Sequence, residues 1–239
     1  MPGLSFAAFE GEEIVAFTFN GIGEFNGIRT AYDTGTGTVP EYRGKGLASR
    51  VFEHSIPFLK SNNIQQYLLE VLKHNDKAVS VYRKLGFEVT REFNYFTQKK
   101  EAIQNQIKPG IQHETRLVTI EECEMAAHFC DFLPSWQNSF AAIGRSPGDF
   151  HAFGAFEGEK LIGYCIVEPN SGDITQLAVD HNFRRQGAAS ALFGKALALI
   201  SIDTVKIINT EIGCTAITSF LESRNIPIRG KQFEMVLEL

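Results

Sequence analysis

Two short stretches of the sequence place arginine and glycine in the same order, and both contain residue types that hold phosphate groups. The first is residues 42–48, YRGKGLA, and the second is residues 183–189, FRRQGAA. Where such a stretch joins a strand to a helix, backbone N–H groups and the positive end of the helix dipole point at one spot. Glycine removes the Cβ that would block an approaching oxygen. Both stretches are therefore candidate pyrophosphate sites.

Two other phosphate loops do not fit these stretches. A Walker A loop needs Ser or Thr after its lysine, but Lys45 is followed by Gly46. The dinucleotide fingerprint would start at Gly44, but Ser49 stands where its third glycine belongs. Taken alone, each stretch is also compatible with an ordinary turn whose basic side chains are solvated.

Composition limits the kinds of partner that the chain can have. It has 239 residues and a formal net charge of −5, so we expect no general binding to nucleic acid. Its four cysteines have neither zinc spacing nor a C-x-x-C pair, and we expect no metal. The N-terminal region has early acids and no long apolar run, and no stretch approaches the length of a membrane helix. We therefore expect a cytoplasmic protein that binds no membrane.

The repetition extends beyond the two loops. Residues 7–16, AAFEGEEIVA, align with residues 154–163, GAFEGEKLIG, and each segment reads as a β-hairpin. Residues 78–82, AVSVY, match residues 216–220, AITSF. Three matches in the same order make duplication of a domain the simplest account. The first copy has six more residues between hairpin and loop, and we place them around residues 21–30.

The order of elements in each copy is that of an α/β domain. A strand runs into the loop, and a helix, a buried strand, a second helix and a last strand follow. The polar stretch at 97–114 predicts a linker between a domain over 1–96 and a domain over 115–239.

Residues after the first loop complete a known pattern. Leu69-Glu-Val71, Asn75, Ala78, Tyr82 and Leu85-Gly-Phe87 resemble the L-E-V…N-x-x-A-x-x-x-Y-x-x-L-G-F segment of the GNAT acyltransferase superfamily. The loop pattern R-x-x-G-x-[GA] resembles the coenzyme A pyrophosphate loop of the same superfamily, and the first copy resembles the protein N-terminal amine acetyltransferases in particular. The resemblance implies two GNAT-like domains, each a mixed, mostly antiparallel sheet flanked by helices, and acetyl-CoA as cofactor.

The resemblance also implies roles for single residues. Transfer of an acyl group to an amine needs a base for the amine proton and an acid for the leaving thiolate. By resemblance Tyr82 is the acid, and Glu70, twelve positions earlier, is the base. Tyr82 is also compatible with a core aromatic and Glu70 with a solvent-facing charge. Asn75 either bonds the pantetheine arm or caps its own helix.

Both copies contain expected cofactor contacts. Backbone N–H groups of the loops would hold the pyrophosphate, and those where the loop strand ends would hold the thioester carbonyl, as an oxyanion hole does. The first copy contributes Thr38, Val39, Arg43, Gly44, Lys45, Gly46, Leu47, Ala48 and Asn75. The second copy contributes Val179, Arg184, Arg185, Gln186, Gly187, Ala188 and Ala189.

The second copy departs from the pattern where the chemistry would occur. Phe220 replaces the tyrosine, and the residue twelve positions before it is Ile208. Phenylalanine cannot donate a proton, so we expect an active first half and a structural or regulatory second half.

The sequence thus predicts an N-acetyltransferase that moves an acetyl group from acetyl-CoA to a primary amine of a small molecule or a peptide. Two other classes stay open, a non-catalytic acyl-CoA-binding sensor and an interaction scaffold. The acceptor cannot be inferred, since one fold hosts many functions.

One segment of the second copy, residues 115–148, has no match in the first copy. In the resembling family it is the first strand and two helices. We expect its absence to leave Leu4 and Phe6 poorly covered, and the acceptor wall to come from the second half or from a second chain in a homodimer. Alternatively, the chain starts late relative to its relatives and the acceptor site is open. Residues 1–96 alone should then aggregate, whereas 112–239 should fold independently.

Overall fold

The computed structural model of the protein describes residues 2–105 and 113–239, so residues 106–112 of the predicted linker lie outside the described residues. The chain forms two compact units. Unit 1 consists of Met1–Glu92 and Lys231–Leu239, and unit 2 consists of Phe93–Gly230. Each unit combines strands with helices, which confirms the predicted α/β class.

Unit 1 begins with a long hairpin and continues through two helices. Its elements are β1 (Phe6–Glu10), β2 (Glu13–Phe25), β3 (Ile28–Thr38), α1 (Leu47–Ser61), β4 (Gln66–Leu72) and α2 (Asp76–Lys84). Asn26 and Gly27 both have positive φ and form the tight turn between β2 and β3. These strands have 13 and 11 residues, whereas the corresponding strands of unit 2 have 9 and 7. The six extra residues of the first copy therefore lengthen this hairpin.

Unit 2 repeats this order after an additional N-terminal segment. That segment contains β6 (Glu114–Val118), α3 (Ile120–Met125) and α4 (Phe140–Ile143). The repeated elements are β7 (His151–Glu157), β8 (Lys160–Glu168), β9 (Asp173–Val179), α5 (Ala188–Leu199), β10 (Thr204–Glu211) and α6 (Thr215–Glu222).

The last strands of the two copies are exchanged between the units. These strands are β5 (Glu88–Lys99) and β11 (Ile228–Glu238). In unit 1, residues 232–238 of β11 pair antiparallel with β4. In unit 2, residues 93–99 of β5 pair antiparallel with β10. The units therefore differ from the predicted division into 1–96 and 115–239, because a repeat shows the order of strands along the chain and not which strands pair.

An aromatic cluster forms the core of unit 1. It joins Phe52 of α1, Tyr67 of β4 and Tyr82 of α2 with Phe87, and Met235 of β11 belongs to it. The residues of β4 that face this cluster are odd-numbered, because successive side chains of a strand point to opposite faces. The exchanged strand thus completes the core of unit 1.

The expectation that Leu4 and Phe6 are poorly covered is wrong for Leu4. Leu4 is 5% exposed, and its carbonyl accepts a hydrogen bond from Asn20 Nδ2 at 2.7 Å. Phe6 is half-buried and packs against the rings of His54 and Phe58. A short helical turn before β1 therefore covers this end of the sheet.

The additional segment of unit 2 covers one face of its sheet. Cys123, Phe129 and Ile143 of this segment pack against Tyr164 and Ile166 of β8. Among the described residues, no helix is long and apolar enough to span a bilayer.

Candidate active site

The loop between β3 and α1 has the geometry that its sequence requires. Gly44 and Gly46 have φ angles of 76° and 75°, a conformation that residues with a Cβ rarely adopt. A Cβ placed on either glycine would meet no atom within 4 Å, so the space above the loop is open. Arg43 donates from Nε to the Thr38 carbonyl at 3.0 Å and braces the turn against the strand.

Several donors of this loop remain available to a ligand. The N–H groups of the first helical turn, which begins at Leu47 and Ala48, have no intrahelical acceptor. Lys45 adds a full charge and lies with Nζ 4.6 Å from the centre of the Tyr42 ring. An open concave backbone at the positive end of a helix fits a pyrophosphate, since each donor points outward.

The corresponding loop of unit 2 has the same arginine-to-carbonyl hydrogen bond, but an arginine replaces its first glycine. Arg184 donates from Nε to the Val179 carbonyl at 3.0 Å, and its Nη2 also pairs with Asp131 Oδ1 at 2.9 Å. Arg185 stands where unit 1 has Gly44 and carries a φ of 63°, while Gly187 has a φ of 91°. A non-glycine residue in this conformation costs roughly 1–2 kcal/mol.

Gln186, another predicted cofactor contact of unit 2, already forms hydrogen bonds within the unit. Gln186 donates to the Asn182 carbonyl at 3.2 Å, and its own carbonyl lies 2.8 Å from His113 Nε2. Ala188 and Ala189 begin α5, so their N–H groups point out of the helix as in unit 1.

The end of β3 offers one of the two expected amides to a ligand. The Val39 N–H donates to the Val15 carbonyl at 3.0 Å, so it is engaged in the hairpin. Thr38 pairs with Ala16 in the register of the ladder, and the alternation of an antiparallel pair directs its N–H away from β2. Of the two backbone N–H groups expected to bind the thioester carbonyl, only that of Thr38 is therefore available.

A gap opens between β3 and β4 beyond the middle of the sheet. The two strands pair in parallel only from Thr30 to Tyr32, opposite Gln66 to Leu68. In unit 2 the matching strands share a single paired position, Lys206 opposite Asp173. Each gap exposes backbone groups at the centre of a sheet, where an extended ligand can bind between the strands.

Tyr82 lies on the helix side of the unit 1 sheet. It is 9% exposed, and its ring packs against Phe52 and Phe87 at centroid distances of 5.6 and 5.8 Å. Burial, and to a lesser extent the charge of Asp33, raise the pKa of its phenol above the ordinary value. The phenol is therefore neutral at ordinary pH and carries a proton to donate. Its packing is that of a core aromatic, and its role as the acid stays a prediction.

Glu70 lies on the opposite face of the sheet. Its Oε2 accepts a hydrogen bond from Tyr32 at 3.1 Å, and it stands directly across from Glu234 of β11. Glu234 is paired with Arg91 at 2.6 Å. Glu70 is two residues past Leu68, where the pairing with β3 ends, so it borders the gap. It is half-buried, so it is not the fully solvent-facing charge that its sequence position also allowed.

Asn75 caps α2, as one of its two interpretations proposed. Its side chain accepts a hydrogen bond from the Ala78 N–H at 3.3 Å. This bond occupies its oxygen and explains its position before the helix without a ligand.

Sequence reasoning missed a carboxylate, Asp33 of β3. Its oxygens accept hydrogen bonds from the Gly35 N–H at 3.0 Å, Thr36 Oγ1 at 2.8 Å and Thr18 Oγ1 at 3.3 Å. Burial raises its pKa, and these hydrogen bonds partly oppose that rise. No local motif marks Asp33, because its position follows from the register of β2 and β3.

A cavity lies in unit 2 beside its arginine loop. It has a volume of about 690 Å³, and its lining includes Arg184, Thr175, Asn209, Phe220 and Cys130. Thr175 is 8% exposed, and its Oγ1 is buried with no hydrogen-bond partner among the described residues. Phe220 faces Phe193 of α5 at a centroid distance of 5.6 Å. This cleft has the volume of a ligand pocket but lacks the phenol of unit 1.

The sequence profile of the Acetyltransferase (GNAT) family matches residues 1–87 and 117–203. Over 73 residues the chain is 32% identical to N-alpha-acetyltransferase 30 of Schizosaccharomyces pombe. The aligned region covers 30% of this chain and 49% of that protein. Over 54 residues it is 44% identical to the spermidine N(1)-acetyltransferase of Escherichia coli (strain K12). This aligned region covers 22% of this chain and 29% of that protein. The chain thus spans less than half the length of these two relatives.

Solved structures share the fold over nearly the whole chain. A tandem GNAT protein from the clavulanic acid biosynthesis pathway, determined without AcCoA, has a TM-score of 0.73 at 11% identity and covers 98% of this chain and 82% of that chain. A putative acetyltransferase from Pyrococcus horikoshii has a TM-score of 0.67 at 16% identity and covers 100% of this chain and 75% of that chain. At these identities the likeness shows the fold alone.

Proposed function

Because the chain belongs to the acetyltransferase (GNAT) family, we propose that unit 1 transfers an acetyl group from acetyl-CoA to a primary amine. One observation carries the proposal: Tyr82 and Glu70 lie on opposite faces of the sheet, beside strands that separate beyond Tyr32. A proton donor and a proton acceptor placed in this way serve a reaction in which a thiolate leaves on one side and an amine enters on the other.

The loop of unit 1 would hold the cofactor. Its backbone N–H groups and Lys45 bind the pyrophosphate, while Arg43 keeps the turn in shape through the Thr38 carbonyl. The Thr38 N–H, which points into the gap, polarises the carbonyl that is attacked. Acetyl-CoA supplies the thioester whose C–S bond breaks as the new C–N bond forms.

Two side chains then carry the protons. Glu70 accepts the proton that the amine nitrogen releases, directly or through water. Tyr82 donates its phenolic proton to the departing sulfur, whose pKa of about 8.5 in water would leave it largely protonated at neutral pH. Exchange with solvent returns a proton to Tyr82 and removes one from Glu70, so the site is restored.

The second half is proposed to be structural or regulatory. Phe220 has no proton to donate, and the position that corresponds to Glu70 is Ile208, at a bulge of β10. The cavity of about 690 Å³ in unit 2 favours a second candidate function, a non-catalytic acyl-CoA sensor, because a ligand there would meet the loop and Phe220, which cannot donate a proton. A pure interaction scaffold requires that neither loop bind a ligand.

One experiment separates these functions. The purified chain is given acetyl-CoA and a panel of amines that contains short peptides and polyamines, and thiol release and product mass are followed. Acetylated product supports the transferase. Cofactor binding without thiol release on any amine identifies a sensor, and absence of binding identifies a scaffold.

Location and assembly form part of this proposal. We place the protein in the cytoplasm, without nucleic-acid or membrane partners, and treat a homodimer as its alternative state. Sedimentation with and without acetyl-CoA measures whether the protein is a monomer or a homodimer.

A further inference from the structure

Phe19, Gly35 and Glu70 lie in one row across three neighbouring strands of unit 1. Phe19 of β2 stands directly opposite Gly35 of β3. Strands β3 and β4 pair in parallel up to Tyr32 and Leu68, so Glu70, two residues farther, is level with the bulge that precedes Gly35. Two strand spacings separate the ends of the row, so the Cα atoms of Phe19 and Glu70 are at least about 10 Å apart. The row has an aromatic side chain at one end, a carboxylate at the other and no side chain in the middle.

The side chains at the two ends of the row point to the same face of the sheet. Thr18 and Asn20, the neighbours of Phe19 in β2, both form hydrogen bonds with the Tyr67 hydroxyl, which belongs to the helix side of the sheet. Successive side chains of a strand alternate, so Phe19 points to the opposite face, where Glu70 also lies. An acceptor that approaches Glu70 therefore meets Phe19 on the same surface.

Gly35 leaves the middle of this row open. A Cβ placed on it would meet no atom within 4 Å. Its φ is not positive, so the backbone does not require glycine at this position. A glycine inside a strand often marks a place where a ligand approaches the backbone closely. The space above Gly35, between the side chains of Phe19 and Glu70, is called the Gly35 trough below.

The corresponding row of unit 2 is filled. Ile166 stands directly opposite Gln176, and Ile208 takes the position of Glu70. Gln176 is 6% exposed, and its Nε2 donates to the Asn138 carbonyl at 2.6 Å, so its side chain is fixed beneath the additional segment of that unit. The half that we propose to be catalytic thus has an open trough, whereas the other half has an amide side chain in the same place.

The charges at the carboxylate end favour a single ammonium group. Glu234 of β11 stands directly across from Glu70, and Arg91 forms an ion pair with Glu234 at 2.6 Å. One positive charge on an acceptor can face Glu70. A second charge, as in a polyamine, would approach the Arg91 guanidinium and be repelled by it.

The other end of the trough is apolar and uncovered. Phe19 is 51% exposed, and its ring lies 4.6 Å from the centre of the Phe17 ring, which in turn covers Gly37. Two neighbouring aromatic rings at the surface form a platform on which a further ring can pack. The two ends of the trough therefore match a ligand that joins an aromatic ring to one ammonium group.

We propose that the Gly35 trough binds the acceptor of unit 1, and that this acceptor is an arylalkylamine, a primary amine separated by two carbons from an aromatic ring. Its ring packs against Phe19, its carbon link crosses the backbone of Gly35, and its nitrogen faces Glu70, which accepts the proton. Free phenethylamine has this chemistry, and so does the N-terminus of a peptide that begins with phenylalanine. The proposal rests on the proposed function, because it names the acceptor of that reaction.

A set of four amines tests the chemical class of the acceptor. These are phenethylamine, a tripeptide that begins with phenylalanine, the same tripeptide with serine first, and spermidine. The better of the two aromatic amines should exceed the serine peptide and spermidine in kcat/KM by at least about tenfold. Comparing the two aromatic amines shows whether the acceptor is a free amine or a peptide. Equal or better turnover of spermidine would overturn the proposal.

Substitutions at Gly35 test the floor of the trough. Gly35→Gln introduces the side chain that unit 2 has at Gln176, and it should raise the KM for phenethylamine about tenfold or more without changing the affinity for acetyl-CoA. Gly35→Ala adds one carbon to open space and should have a much smaller effect. Gly3→Gln is the matched control, since a Cβ on Gly3 also meets nothing within 4 Å, and its kinetics should equal those of the wild type.

Substitutions of exposed rings test the apolar end. Phe19→Ala should lower kcat/KM for phenethylamine about tenfold and leave that for methylamine, which has no ring, unchanged. Phe9→Ala removes a ring of β1 that is 59% exposed, and it should change neither value. Thermal midpoints show that each variant is folded. If neither Phe19→Ala nor Gly35→Gln changes the kinetics with phenethylamine, the trough is not the acceptor site.

A binding measurement separates the failure of this inference from the failure of the proposed function. Phenethylamine is titrated calorimetrically into the chain in the presence of coenzyme A, which has no acetyl group to transfer. Binding that both Phe19→Ala and Gly35→Gln weaken supports the trough, and if no amine is then acetylated, only the proposed function fails. Acetylation of other amines without phenethylamine binding keeps the proposed function and overturns this inference.

Discussion

Arg43 donates from Nε to the Thr38 carbonyl over 3.0 Å, and Arg184 makes the same bond to Val179 over 3.0 Å. The arginine at the head of each loop therefore ties the turn to the last residue of the strand before it. We therefore propose that the arginine braces each loop and that the backbone N–H groups would bind the ligand.

This brace predicts that the charge of Arg43 matters less than its shape. Arg43→Lys keeps the charge but lacks Nε, so it should weaken acetyl-CoA binding almost as much as Arg43→Ala does, by about tenfold. Calorimetric titration of the three proteins measures the effect. Wild-type affinity in Arg43→Lys would show that the charge itself binds the phosphate.

The open space above the loop leads to a second prediction. Acetyl-CoA should raise the thermal midpoint, because a ligand that binds only the native state stabilises it by RT ln(1 + [L]/Kd). Gly46→Val should remove most of this shift, since a side chain at φ 75° is strained and fills the approach to the backbone.

Gly11 provides a matched control for this variant. It has a φ of 61°, a Cβ on it would meet nothing within 4 Å, and it lies in the β1–β2 turn of the same unit. Gly11→Val should therefore lower stability in a similar way and keep the shift with acetyl-CoA. If Gly46→Val keeps the shift as well, the loop is not the cofactor site.

The loops could be predicted from the sequence because their requirements are local. Gly44, Gly46 and Gly187 all adopt positive φ, which is the reason that glycine occurs at these places in the pattern. Arg185 could not be anticipated, because it adopts the same conformation with a side chain that disfavours it.

Asp33 and the exchanged strands could not be predicted for a different reason. The environment of Asp33 is created by the register of β2 and β3, which brings Thr18 and Thr36 to its oxygens. The pairing of β11 with β4 joins residues more than 150 positions apart, and no local pattern records it. Both features are set by which strands become neighbours after the chain has folded.

Tyr82 and Phe220 allow a test of the assignment of the two halves. Tyr82→Phe removes the proton donor and nothing else, so kcat should fall by about 100-fold or more while cofactor affinity stays near normal. Phe220→Tyr should have little effect by itself, because unit 2 also lacks the base, with Ile208 at the position that corresponds to Glu70. Full activity of Tyr82→Phe on a good acceptor would place the acid elsewhere.

The burial of Asp173 leads us to expect that the stability of the protein depends on pH. Burial raises its pKa to about 7, opposed by Lys206 and assisted by Glu168. Its Oδ1 is buried without a hydrogen-bond partner in the described part of the chain. Because the folded state holds the proton more tightly than the unfolded state, the free energy of unfolding decreases as pH rises from the unfolded pKa of about 4 to about 7.

Asp173→Asn should therefore stabilise the protein above neutrality. At pH 8 the wild-type carboxylate is charged and buried, and its removal should raise the free energy of unfolding by on the order of 4 kcal/mol. Near pH 4 the carboxyl group is protonated in the folded wild type, so the difference should disappear. Thermal unfolding at the two pH values measures this, and equal midpoints at pH 8 would show that Asp173 is solvated or paired.

The exchanged strand leads to the last prediction, which concerns fragments of the chain. Residues 1–96 alone should aggregate, because they lack the strand that pairs with β4 and the core residue Met235. Residues 112–239, which we expected to fold alone, lack residues 93–99 of β5, whose Phe96 is fully buried in the core of unit 2. Neither division of the chain by copies should therefore be stable.

A division by units should succeed where the division by copies fails. Glu92 and Lys231 lie side by side, with Oε1 and Nζ 3.5 Å apart, so a short Gly-Ser linker can join residues 1–92 to residues 231–239. This joined fragment should be monomeric and unfold cooperatively, whereas residues 1–92 alone should not. Replacing Met235 by Asp in the joined fragment provides the control, because a charge in the aromatic core should abolish folding. A soluble, cooperatively unfolding 1–92 fragment would show that unit 1 does not need β11.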